Sequence, residues 1–410
     1  MQLAIPRGRI SHTLSEDLKW LASSLVLPLN IKNHVREFEE SFADYVGRRH
    51  CISFPFVRTA IYFILKDLNL PTGSVVLMPP VTIKPILDVV LELGLVPEFV
   101  DIDLDTVCFD ENELIESLKL QPRVAILTYL FGIVPNVERI TQTLRSANVY
   151  IIEDFSQCLN GEFEGKKIGT FGDISVYSAS SVKTLDTYGG GLAVTDDSAQ
   201  AKSLTEHQGG LNQTPRMVLV KKVVTDLIRN LVTQPVVFSF VTYPALAILE
   251  KKGKQEITKF TGDRSAEPLH ELPSDWFTSF TSVQAKVGIQ QLGQVAGKDR
   301  RRVEAIESIT RSLGSLKRPV GSGLGKNVYW QFIVYADSFQ RSQKNLRKYK
   351  VDTATTSLVQ ISNLPKYPFM KRTVNAAKLY NDGAYLPCYH QLRRKQIERI
   401  AQALEHINAS

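Results

Sequence analysis

Cysteine is scarce and scattered. The four residues Cys51, Cys108, Cys158 and Cys388 form no CxxC and no close Cys/His pair. Neither a disulfide framework nor a zinc site is therefore expected, and a reducing, cytoplasmic compartment is the expectation. Charge of one sign is not abundant either: 49 Lys and Arg face 42 Asp and Glu, a net charge of +7. That excess suits an anionic substrate or an anionic membrane surface, but it lacks the dense basic stripe of a nucleic-acid binder. The opening MQLAIPRGRI has no charged start followed by an apolar run, so no secretory signal is expected. Solenoid-type repeats and low-complexity tracts are also missing. One shortage is local: residues 230–249, NLVTQPVVFSFVTYPALAIL, carry no charge at all.

What remains is an ordinary globular composition, 43% hydrophobic and 22% charged, over 410 residues. That length suits a large domain with a smaller companion. Residues 1–30 read as an arm followed by a helix, and Val35, Phe38, Phe42 and Val46 have helical spacing. Short apolar strands then alternate with helices: strands at 51–53, 75–78, 98–102, 123–129, 149–153 and 172–178, helices at 59–68, 85–94, 112–118 and 137–147. This β-α alternation predicts an α/β fold, a mostly parallel sheet sandwiched by helices. The large domain is expected over 31–298, interrupted by an apolar insertion at 211–272. A small C-terminal α/β domain is expected over 299–410.

Ligands of such sheets bind beyond the carboxyl ends of the strands. The polar residues there are Asp154, Gln157, Ser178 and Lys183, followed by the run Gly189-Gly190-Gly191. A desolvated lysine loses its proton and attacks an aldehyde. A carboxylate nearby keeps a pyridine nitrogen protonated, and hydroxyl and backbone N–H groups hold a phosphate. On the residues alone, the same three features also describe a solvated loop lysine, a turn-capping aspartate and a flexible glycine turn.

The block resembles the DegT/DnrJ/EryC1/StrS family of sugar aminotransferases. Its carriers are Glu153-Asp154-Phe155-Ser156-Gln157, then Gly165-Lys166-Lys167-Ile168-Gly169-Thr170-Phe171-Gly172-Asp173, then Ser178, Lys183 and Gly189–Gly191. Further likeness lies at Val35–Ala43, Thr59-Ala60, Pro79–Thr82, Phe99–Asp103, Ser282–Leu292 and Leu386–His390. The resemblance implies pyridoxal 5'-phosphate as cofactor, held as a Schiff base on Lys183, which then serves as the acid/base of the 1,3-proton shift. It implies that Asp154 pairs with the ring nitrogen, Gln157 bonds the ring 3-oxygen, and Thr59, Ala60 and Ser178 hold the phosphate. It further implies a homodimer that moves an amino group from an amino acid, usually glutamate, to a keto-sugar. The small residue usual before Thr59 is Arg58, a substitute phosphate ligand or a substrate contact. Ile83, followed by Lys84, stands where an aromatic residue usually stacks on the ring. Phe277 stands near the place of an asparagine usually sent to the phosphate by the neighbouring subunit. His390 lies in a segment near the substrate, with a structural role equally open. Two rival readings are a dehydratase, which Lys183 opposes because the family's deoxysugar dehydratases carry histidine there, and a non-catalytic cofactor-binding scaffold, which only Ile83 and Phe277 support.

The charge-free stretch is nominally long enough to cross a bilayer, but Pro235, Pro244 and several polar residues oppose a clean span. Lys221, Lys222 and Arg229 precede it, and Lys251, Lys252 and Lys254 follow. Three readings stand: a helical hairpin packed on the domain or a dimer partner, an interfacial membrane anchor over 217–252, or a groove for a lipid-linked or carrier-bound substrate.

Overall fold

Runs such as VAILT at Val124–Thr128 and YIIED at Tyr150–Asp154 are buried almost throughout. Alternate residues of each serve opposite faces of one sheet. The computed structural model describes residues 2–251, 268–269, 271–314, 316–335, 339–365, 367 and 369–408. Seven strands form the main sheet: β1 (His50–Phe54), β2 (Val75–Met78), β3 (Val96–Phe99), β4 (Val124–Thr128), β5 (Tyr150–Asp154), β6 (Ile174–Ser178) and β7 (Gly191–Thr195). Their order is β1-β7-β6-β5-β4-β2-β3. Only β7 runs antiparallel to its neighbours, β1 and β6; the other pairs are parallel. The expected strand at 98–102 begins earlier and contains Pro97, which an edge position such as that of β3 tolerates.

Helices cover both faces, as the α/β reading requires. On one face, Ala125, Leu127 and Ile151 pack with Phe38 and Phe42 of the Lys32–Val46 helix and with Val137, Ile140 and Leu144. On the other, Val124, Ile126 and Ile152 pack with the Val57–Asp67 and Lys84–Glu92 helices. Each fully buried Phe, Leu or Ile contributes about 1.5–3 kcal/mol.

The expected boundary at 298/299 falls inside one unbroken helix, Ser282–Thr310, started by a capping box between Thr281 and Gln284. A Cβ at Gly288 in this helix would lie 2.3 Å from the Phe38 ring, so glycine is what lets the helix seat there. A third apolar cluster gathers C-terminal residues such as Ile306, Phe332, Leu379 and Leu404 with Ile5, Ile102 and Phe131. The antiparallel pair Phe332–Tyr335 and Gly383–Leu386 belongs to it. The first of these begins only at Phe332, because the N–H groups of Val328 and Tyr329 both donate to the Gly132 carbonyl.

The insertion begins with the helix Arg216–Val232. A bend of 62° separates it from a second helical stretch that starts at Pro235, whose ring leaves no N–H to continue the first. That stretch passes through a π turn at Phe238–Thr242 into Tyr243–Lys251. Leu219 and Val223 pack with Trp20, Tyr188, Val283 and Val287, while Phe238 and Leu246 pack on Ala4. Val236, Phe240, Val241 and Ile248 face outward, each more than half exposed. No single helix among the described residues is long and apolar enough to cross a membrane. Lys252 and Lys254 lie outside the described residues.

Candidate active site

Strands β4, β5 and β6 deliver their carboxyl ends side by side. Thr128 and Asp154 are register partners on β4 and β5, so both side chains leave the same face. Asp154 is buried and accepts a hydrogen bond from the Ser156 N–H (3.0 Å). Burial raises its carboxyl above the usual carboxylate range, while the bonds from Ser156 and the charge of Lys183 pull it back. The buried Thr128 hydroxyl has no hydrogen-bond partner among the described residues. Gln157 accepts the Phe131 N–H on Oε1 (2.7 Å), which fixes the amide and leaves Nε2 as the outward donor.

Lys183 sits in the loop beyond β6. Burial lowers its ammonium to about 8, against the raising pull of the Asp154 carboxylate. Its Nζ lies 3.9 Å from the centre of the Trp330 ring. Trp330 Nε1 in turn donates to the Val182 carbonyl (2.9 Å), so the indole closes over the lysine loop. Val182 adopts φ 70°, a strained value for a β-branched residue, held by that bond.

Ser178 ends β6, and its hydroxyl lies 2.8 Å from that of Ser180. Its register partner on β7 is Gly191, whose other neighbour is Phe54. A Cβ on Gly191 would sit 2.3 Å from the Val57 nitrogen, so glycine allows the start of the Val57–Asp67 helix to abut the sheet at this point. That helix begins two residues before the expected Thr59. The Thr59 and Ala60 N–H groups donate to the Phe56 carbonyl, and the Thr59 hydroxyl donates to the Trp276 carbonyl (2.7 Å). With Thr59 and Ala60 so engaged, the part of the first turn that meets Gly191 on β7 is the Val57 nitrogen. Arg58 stacks between the Phe56 and Trp276 rings, 3.7 and 4.3 Å from their centres.

The other positions singled out in the sequence are placed as follows. Lys84 is buried in an ion pair with Asp88 (2.9 Å), which also accepts from Tyr367. Ile83 lines a cavity of about 250 Å³ with Lys84, Arg58, Trp276, Ser357 and Val359. Phe277 packs edge-on against Tyr62 and Phe63. His390 is half-buried. Burial, together with Lys298, Arg301, Arg302 and Arg9, lowers its imidazole to about 3, so it stays neutral.

Several residues escaped the sequence reading. Glu153, quoted only as part of a motif, is fully buried and accepts five hydrogen bonds: from Tyr129 Oη, Ser175 Oγ and the N–H groups of Gly169, Phe171 and Gly172. It staples the Gly165–Asp173 turn to β5. Replacing it by alanine strands these donors and should cost about 4 kcal/mol in a urea titration. A loss below about 1 kcal/mol would show that the turn holds without it.

Behind Lys183 lies a buried polar knot. His12 Nδ1 meets Tyr188 Oη (2.7 Å) and its Nε2 meets the Asp186 carbonyl (2.9 Å). Tyr188 Oη donates to Asp17 (2.7 Å), and Asn230 Nδ2 reaches both Asp17 (2.7 Å) and the His12 carbonyl (2.9 Å). Ser181 donates to Asp226 (2.6 Å), which also pairs with Arg229. Burial lowers the His12 imidazolium, but the carboxylates of Asp186 and Asp17 outweigh it and raise the group overall. No local pattern signals the knot, because its members come from the arm, the lysine loop and the insertion.

A buried carboxylate at a strand end, an amide and a deprotonatable amine nearby in sequence, and a helix start with a hydroxyl suit a flat aromatic cofactor with an anionic tail. The residues present thus fit pyridoxal phosphate. The comparisons agree. Residues 13–220 and 273–405 match the DegT/DnrJ/EryC1/StrS aminotransferase family, and the gap falls on the insertion. L-glutamine:2-deoxy-scyllo-inosose aminotransferase of Streptomyces kanamyceticus is 29% identical over 177 residues, 43% of this chain and 41% of that protein. GDP-perosamine synthase of Escherichia coli O157:H7 is 27% identical over 181 residues, 44% of this chain and 48% of that protein. The chain thus spans less than half the length of these relatives. The sugar aminotransferase CalS13 of Micromonospora echinospora superposes with a TM-score of 0.75 at 14% identity, over 98% of this chain and 99% of that one, which establishes the fold. With a family match on both sides of the insertion and the lysine, aspartate and glycine run in their expected order, the chain belongs to the DegT/DnrJ/EryC1/StrS aminotransferase family.

Proposed function

We propose that the chain is a pyridoxal-phosphate-dependent aminotransferase, acting as a homodimer in the cytoplasm. It moves an amino group from an amino acid, glutamate first among the candidates, to a keto-sugar. The acceptor is nucleotide-linked, for polysaccharide or glycoconjugate synthesis. The observation that carries this reading is the enclosed amine of Lys183, lowered to about 8 and opposed by the Asp154 carboxylate. The family match supports the reaction class, and the activities for which the relatives are named support the substrate class.

Pyridoxal phosphate, when bound, supplies an electron sink for the carbon that carries the amino group. The protein's part follows from its own residues. The Asp154 carboxylate would hold a proton on the ring nitrogen, and Gln157 Nε2 would donate to the ring oxygen. Lys183 Nζ, lowered to about 8 and so partly deprotonated near neutral pH, would condense with the cofactor aldehyde with loss of water, and its amine, once released, would serve as the acid/base that moves the proton. Trp330 keeps water from one side of that amine. Ser178 and the start of the Val57–Asp67 helix hold the phosphate, with Thr59 and Ala60 shaping that turn through their bonds to Phe56 and Trp276. Lys183 in place of histidine speaks against the dehydratase reading.

The test is a donor half-reaction. Protein loaded with pyridoxal phosphate and mixed with glutamate or glutamine should convert its absorbance to that of the amine form of the cofactor. No change with any amino donor would overturn the aminotransferase reading.

The outward row Val236, Phe240, Val241 and Ile248 supports peripheral contact with an anionic membrane. The wild type is expected to float with phosphatidylserine vesicles, and the pair F240E/V241E to remain in the dense fraction with cofactor absorbance intact. A wild type that does not float discards this part of the proposal.

A further inference from the structure

Lys222 lies on the inserted helix Arg216–Val232, just beyond the point where the family match stops at residue 220. Its Nζ reaches over the glycine run, 3.1 Å from where a Cβ on Gly189 would stand. It also lies 4.7 Å from the centre of the Phe56 ring, the same ring that Arg58 covers at 3.7 Å. Two cationic side chains thus flank one aromatic ring at the start of the Val57–Asp67 helix. Among the described residues, no carboxylate stands within ion-pair distance of Lys222. Burial and then the charge of Arg58 lower the Lys222 ammonium, Asp275 partly offsets them, and the net result is about 8.

A buried ammonium with no carboxylate within ion-pair distance is costly unless an anion neutralises it, and a helix N-terminus favours an anion at this place. The place is specific. Phe56 and Gly190 form an isolated bridge, and Gly191 joins Ser178 on one side to Phe54 on the other. Lys222, the Val57 N–H, Arg58 and the Ser178 strand end therefore converge on one corner of the sheet. Phe277 packs against Tyr62 and Phe63 and offers that corner no polar group.

We propose that Lys222 is a cofactor-binding residue that donates from within the same chain to the phosphate of pyridoxal phosphate, with Arg58 as the second cation. On this view the insertion supplies a charged ligand where Phe277 supplies none. The proposal rests on the cofactor reading above.

The test compares two ligands that differ only in the phosphate. Apoprotein of the wild type, K222A and K222R is titrated with pyridoxal phosphate and with pyridoxal, reading absorbance and Trp fluorescence. K222A should weaken pyridoxal phosphate by roughly 10- to 100-fold, the value of a charge-assisted hydrogen bond. It should leave pyridoxal within about 2-fold on the same scale, and K222R should recover most of the loss. Inorganic phosphate should compete with the cofactor in the wild type and much less in K222A. Equal loss for both ligands, or no loss for either, overturns the role of Lys222. Circular dichroism identifies a variant that has simply unfolded, and K222Q, which keeps the length without the charge, must then reproduce the K222A pattern for the proposal to stand. Borohydride reduction separates the two readings. An adduct on Lys183 with no discrimination by K222A sinks only this inference, whereas no Lys183 adduct in the wild type sinks the cofactor reading itself.

Discussion

Lys183→Ala leaves a protein that folds, binds pyridoxal phosphate weakly and transfers no measurable amino group. The expected fall in the glutamate half-reaction is at least about 10³-fold, since the variant loses both the nucleophile and the acid/base that moves the proton. Borohydride followed by peptide mapping reads the same event: the wild type should carry the reduced cofactor on Lys183, and the variant should carry none. An adduct on Lys84 would be a surprise, because that amine is bound to Asp88 in the interior. Retention of more than a tenth of the wild-type rate would show that another group performs the proton transfer.

Asp154→Asn is expected to have the second-largest effect, in two distinguishable ways. An amide no longer holds a proton on the ring nitrogen by charge, and the half-reaction should slow by about 10²–10³-fold, the typical cost of removing one preorganised electrostatic group. The second way concerns Lys183. The Asp154 carboxylate favours the ammonium and so raises its midpoint, while burial lowers it to about 8. The rate of cofactor attachment should therefore rise with pH through a midpoint near 8 in the wild type. In D154N the opposing charge is gone and the midpoint should move to lower pH. A midpoint that stays in place, or moves up, would mean that Asp154 does not act on the Lys183 amine.

Much of this site was readable in the chain because its chemistry is local to strand ends. Asp154, Gln157, Ser178 and Lys183 lie within one short block, and apolar strands of four or five residues deliver them to one edge of the sheet. The helices and strands of the large sheet follow from the spacing of residues such as Phe38 and Phe42 and from runs such as VAILT. The missed contacts depend on chain segments far apart in sequence. Trp330 reaches the lysine loop across 148 positions, and nothing around it marks an aromatic cover for an amine. Asn230 approaches Asp17 across 213 positions. The ion pair of Lys84 is local by contrast: its partner Asp88 stands one helical turn away, where an i,i+4 pair is ordinary. Pro97 misled because a proline usually ends a strand, whereas at the sheet border it costs no ladder bond.

The knot formed by His12, Asp17, Tyr188 and Asn230 has a consequence for how this chain can be re-engineered. The lysine loop is bolted at its back to the amino-terminal arm and to the added helix together, through polar groups sealed from solvent. Trimming the arm for a shorter expression version, or replacing the added helix, would remove one half of a mutually satisfied set and leave the other half buried without partners. The three segments must be exchanged as one unit, and a library that shuffles them singly should return few soluble clones.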